Sequence, residues 1–144
     1  MQRVDPTILE RFRASLDHCA SQPTFTRRFY ARFVLSSDEV ARKFETVDLK
    51  RQASVLQASL YMMLRAASGH DDGLAQLREI ARTHSRRGYD IGAHLYEHWL
   101  RCLVTVAGEI DPDFDAEIEA AWCATLQPCI DAMIEAYHDG VVRL

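Results

Sequence analysis

Leu77-Arg78-Glu79-Ile80-Ala81-Arg82-Thr83-His84-Ser85-Arg86-Arg87-Gly88 is the stretch on which the reading of this chain turns. Leu77, Ile80, Ala81 and His84 recur at helical spacing, which predicts a helix from about Gly73 to Arg87 that stops at Gly88. The histidine therefore falls on the apolar stripe of that helix. A lone imidazole there is either a satisfied core residue or a ligand, because a buried, half-satisfied ring nitrogen costs free energy. Residues at fixed distances upstream favour the second reading. Tyr30 lies in an aromatic helix, Phe44 follows it by 14 residues, and Gln52 and Leu56 sit one helical turn apart, 28 residues before His84 in the case of Leu56.

Apolar spacing is helical almost throughout, and no segment alternates with a period of two for long enough to suggest a strand. Asp5-Pro6 predicts the start of a first helix with Ile8, Leu9, Phe12, Leu16 and Cys19 on its stripe. A second begins near Pro23 and carries Phe25, Phe29, Tyr30 and Phe33. Ser36 followed by Glu39 reads as a capping box for a short helix ending at Phe44. Asp48 caps the next, which bears Leu49, Gln52, Leu56, Leu60 and Met63. Gly69 to Gly73 is a turn before the His84 helix. After Gly88 a long helix carries Ile91, Leu95, Trp99, Cys102 and Val106. Asp111-Pro112 reads as the cap of a last helix running to Tyr137, with Pro128 inside it.

The 144 residues suit one domain, 1–144, with enough apolar content (48%) for a core. A formal net charge of −4 argues against nucleic acid as a partner, since phosphate binding needs a clustered basic surface. No apolar run approaches the ~18 to 20 residues that span a bilayer. The N-terminal segment has no apolar signal region, so the expectation is a cytoplasmic protein without membrane contact. Cys19, Cys102, Cys123 and Cys129 form no CxxC pair and each lies in a helical pattern, which reads as buried thiols in a reducing compartment. His94 and His98 are one turn apart but have no third ligand nearby, and read as ordinary helix residues.

The ordered set Phe29-Tyr30-Ala31-Arg32-Phe33, Phe44, Gln52-x-x-x-Leu56, Ile80-Ala81-x-x-His84 and Ala121-Trp122 resembles the globin family. The likeness is to single-domain bacterial haemoglobins, flavohaemoglobin haem domains and globin sensor domains, and it spans nearly the whole chain. It implies an all-α globin fold of about seven helices, three over three around a haem pocket, holding one haem b. It implies His84 as the proximal iron ligand through Nε2, with the other ring nitrogen donating to a carbonyl or similar group. Phe44 then wedges the haem ring, Tyr30 and Gln52 are distal hydrogen-bond donors to a diatomic ligand, and Leu56 is the apolar contact over the iron. Arg82 and Arg87, with Arg86, Lys43 and Lys50, stand near enough in sequence to meet the propionates. Tyr96 or Tyr89 is placed to bond the proximal imidazole.

Two departures shape the expected function. Flavohaemoglobin domains carry a glutamate on the last helix that activates the ligand histidine. Counted from Trp122, that position falls at about Tyr137, while Glu135 is two residues early and on another face. The segment Arg86-Arg87-Gly88-Tyr89-Asp90-Ile91, leading to Tyr96 and Trp99, looks more like globin sensor domains. The resemblance therefore implies reversible binding of O2, NO or CO at a five-coordinate ferrous iron, as an oxygen binder or gas sensor. The alternative is nitric oxide dioxygenase-type detoxification fed by a separate reductase, with peroxidase-like chemistry as a side activity. Another is a globin-like domain that takes no haem and senses a different ligand. The implied self-association is a homodimer through the last two helices.

Overall fold

Asp5 accepts the Thr7 amide at 2.8 Å and Pro6 fills the first helical position, and so begins α1 (Pro6–Ala20). The computed structural model describes residues 1–138 and 141–144, and six further helices follow. They are α2 (Phe25–Ser36), α3 (Asp38–Lys43), α4 (Leu49–Ala67), α5 (Asp71–Thr83), α6 (Ala93–Ile110) and α7 (Ala116–Glu135). No strand occurs among the described residues. This is the all-α, seven-helix globin arrangement that the sequence predicts.

The helices pair across the core: α4 on α5, α2 on α6, and α1 on α7. Helix α7 also meets α4, α5 and α6. Gly73 lets α5 approach α4 closely, because a Cβ there would stand 2.5 Å from the Ala66 backbone nitrogen. Helix α6, by contrast, packs on α2, α7 and α1 and makes no extended contact with α4 or α5 among the described residues.

The core centres on Trp122, which is fully buried. Its ring meets Phe12 edge-on at 4.9 Å and Phe25 at 6.4 Å, and its Nε1–H donates to Ser15 Oγ at 2.9 Å. All four cysteines are free; Cys19, Cys102 and Cys129 are buried and Cys123 is half-buried. Burial pushes the Cys19 and Cys129 thiols up to about 12, so they behave as small apolar residues.

Several boundaries differ from the sequence expectation for local reasons. The cap of α3 is Ser37, whose Oγ accepts from Glu39 and Val40, while Ser36 Oγ instead donates to the Phe33 carbonyl. Asp111 ends α6 and its carboxylate accepts the Asp113 amide. The cap of α7 is Asp115, bonded to Ile118 at 2.8 Å. Ile91 precedes α6, which starts at Ala93, and α7 passes through Pro128 but stops at Glu135, short of Tyr137. Helix α5 starts at Asp71 and stops at Thr83, leaving His84 as its C-terminal cap residue.

Candidate functional site

The end of α5 fixes His84. Thr83 and Ser85 bend their hydroxyls back onto the carbonyls of Ile80 and Arg82, and Tyr89 donates its amide to the Thr83 carbonyl at 2.8 Å. The chain doubles back there so tightly that a Cβ on Gly88 would lie 2.1 Å from the Thr83 oxygen. Gly88→Ala is therefore expected to lower unfolding free energy by roughly 1 to 3 kcal/mol, the cost of forcing backbone apart. Urea denaturation checks this, and an unchanged midpoint would show that the turn yields freely.

His84 Nδ1 lies 2.9 Å from the Ile80 carbonyl oxygen, which can only accept, so this nitrogen carries the proton. Thr83 Oγ1 stands 3.2 Å from the same nitrogen. The neutral ring then presents its lone pair at Nε2. Burial pushes the His84 pKa below its ordinary value, and the Ile80 bond only partly opposes this, so the neutral, ligating form is favoured. The Tyr89 ring packs edge-on against the imidazole at 5.6 Å.

The opposite wall is aromatic. Tyr30 is buried between Phe29, at 5.0 Å, and Phe44, at 5.7 Å, and Phe33 meets Phe44 at 5.8 Å. Tyr30 Oη donates to the Gln52 backbone carbonyl at 3.3 Å, a long bond. Burial pushes the tyrosine up to about 12, so it stays a protonated donor. Gln52 is half-buried at the start of α4, and Leu56, one turn on, is buried. Lys43 Nζ spans from this wall to the other, donating to the Tyr89 carbonyl at 3.3 Å.

Tyr30, Phe44, Gln52 and Leu56 therefore come together, and the Lys43–Tyr89 contact joins their wall to that of His84. Other expected residues are engaged elsewhere. Tyr96 is buried, with Oη 3.9 Å from Met133 Sδ, and Tyr89 offers His84 its ring. Arg82 pairs with Glu79 at 2.6 Å, while Arg86 and Arg87 are exposed on the turn after His84. Tyr137 bonds the Asp90 carboxylate through its hydroxyl, and its carbonyl accepts the Arg86 amide at 2.8 Å. The imidazole partner is a backbone carbonyl, as expected, and the residue that supplies it is Ile80. It lies one turn back from His84, where a helical carbonyl always lies, and that was a usable signal.

These residues fit a haem: an imidazole whose Nδ1 is bonded and whose Nε2 has no protein partner among the described residues, an aromatic cluster, one buried phenol with a long bond and the half-buried Gln52 beside it. No cluster of three or more His, Cys, Asp or Glu side chains that could hold a bare metal ion occurs among the described residues. The sequence profile of the family described as Globin matches residues 15–133. The fold and this site belong together in one class, and the chain belongs to the globin family. A crystal structure of protein PA3967 from Pseudomonas aeruginosa PAO1, described as structurally highly homologous to a human hemoglobin, is similar to it. The two are 31% identical over 92% of this chain and 99% of that one, with a TM-score of 0.88. No curated protein matches the chain. No helix among the described residues is long and apolar enough to cross a membrane.

Proposed function

We propose that this globin binds one haem b through His84 Nε2 and reversibly takes up O2 or another diatomic gas, NO or CO. The observation that carries this reading is the 2.9 Å contact of His84 Nδ1 with the Ile80 carbonyl: Nδ1–H donates there, and Nε2 is left with the lone pair that would ligate iron. When bound, haem supplies the iron at which a gas coordinates. The chain's own residues do the rest. Ile80 and Thr83 fix the imidazole, Phe44 and Leu56 exclude water, and Tyr30 and Gln52 offer hydrogen bonds to a polarised ligand. Arg86, Arg87 and Lys43 are the candidates for the propionates.

A detoxifying dioxygenase fed by a separate reductase is the second reading, and the proximal side weighs against it. The imidazole proton goes to a neutral carbonyl, whereas a carboxylate partner would make the ligand more basic. Steady-state NO consumption with a supplied reductant distinguishes the two, and slow turnover is expected. A homodimer through α6 and α7 belongs to the sensor form of the proposal. The open groove of about 430 Å³ between those helices, where Leu100, Val104, Ile130 and Ile134 lie beside the charged Glu97, Arg101 and Glu119, supports it.

Tyr30→Phe is expected to raise the O2 dissociation rate about tenfold or more, from loss of a hydrogen bond worth about 1.4 kcal/mol. Stopped-flow displacement by CO measures the rate. A wild-type rate in the variant would mean that the Tyr30 hydroxyl does not reach the ligand.

A further inference from the structure

Helix α3 makes no extended packing contact with α6 among the described residues, but a pair of side chains connects them. Glu39 Oε2 lies 2.5 Å from His94 Nε2 across 55 residues of sequence. One turn further along α3, Lys43 donates to the Tyr89 carbonyl. Lys43 adjoins Phe44, which stands on the Tyr30 wall, and Tyr89 packs on His84. The Lys43 contact therefore joins the Tyr30 side of the site to the His84 side, and the Glu39–His94 contact joins α3 to α6 just beyond the same loop. The loop they hold, 84 to 92, is also tied from behind by Tyr137, through Arg86 and Asp90. Asp90 adopts φ +57°, a left-handed conformation uncommon outside glycine, so the loop has one defined shape to be held in.

We infer that Glu39 and His94 form a clasp beside the haem site, which holds α3 against the start of α6 and the loop leading into it and slows exit of the haem. This rests on the haem reading of the site. The logic is a population shift. A contact made when the walls are together and lost when they part lowers the fraction of open molecules through which the cofactor leaves. Lys43 acts beside it, since its bond to Tyr89 ties the same two segments. Each group is partly exposed, so the effect is modest, and it is kinetic.

The test follows haem transfer from the loaded full-length chain to an excess of a haem-scavenging apoglobin, for wild type, Glu39→Gln, His94→Gln and the double variant. Each single change is expected to raise the haem-loss rate about threefold. The double variant should lose haem no faster than either single, because both changes remove one contact. A charge-exchanged chain, Glu39→Lys with His94→Glu, should return towards the wild-type rate. Wild-type rates in both single variants, or fully additive effects in the double, would overturn the clasp. The same variants without haem are read by amide hydrogen exchange at residues 86–92, where faster exchange is expected and unchanged exchange would overturn it. Failure of the wild type to take up haem would instead overturn the reading of the site, and the exchange experiment would still decide the clasp.

Discussion

His84→Ala loses haem: the expected result is at least ~100-fold weaker retention and no five-coordinate ferrous spectrum, while the chain stays folded. The magnitude follows from what is removed. Altering groups that merely support a metal ligand costs about 10- to 100-fold, and here the ligand itself goes. The fold should survive because His84 is a cap residue at the end of α5, only half-buried, and its loss leaves the Thr83 and Ser85 bonds intact. Added imidazole supplies the missing nitrogen and should restore a proximal-ligand spectrum in the variant. Absorption spectroscopy with and without imidazole checks both halves. Full haem retention by the alanine variant would move the ligand role to another residue.

Trp122→Ala is expected to destabilise the fold by about 3 to 5 kcal/mol, a large share of the roughly 5 to 15 kcal/mol of a typical domain. The indole fills the junction of α1, α2 and α7 against Phe12 and Phe25, and its removal leaves a void between helices that cannot easily collapse. It also leaves Ser15 Oγ buried without its donor. Urea denaturation followed by circular dichroism measures the loss, and a change below about 1 kcal/mol would mean that the surrounding helices repack. Trp122→Phe should recover part of the stability, because one aromatic ring stays in the core while the rest of the indole and its hydrogen bond are lost.

Helix identity was legible because apolar residues recur at helical spacing in every long segment, and side-chain caps at Asp5 and Asp48 mark two starts directly. At α3 and α7 the pattern pointed to Ser36 and Asp111, while the backbone path puts the neighbouring Ser37 and the later Asp115 in the capping position. The early end of α5 was hidden for a similar reason. Residues 84 to 87 carry no helix breaker, and the chain leaves the helix because the Thr83 and Ser85 hydroxyls and the Tyr89 amide satisfy its last carbonyls in a turn. In the site, Tyr30, Phe44, Gln52 and Leu56 could be grouped from their ordered spacing and the resemblance to globins that it carries. The partners of Tyr96, Tyr137 and His94 could not. Each depends on how distant helix ends meet, and no periodicity within one helix encodes that.

The central claim, that His84 and the wall around Tyr30 hold a haem, is tested most directly by titrating the purified chain with haemin and recording the absorption spectrum before and after reduction. The account predicts a Soret band that saturates at one haem per chain and, once reduced, a five-coordinate ferrous spectrum that shifts on addition of CO. A folded chain that develops no Soret band beyond that of free haemin would contradict it.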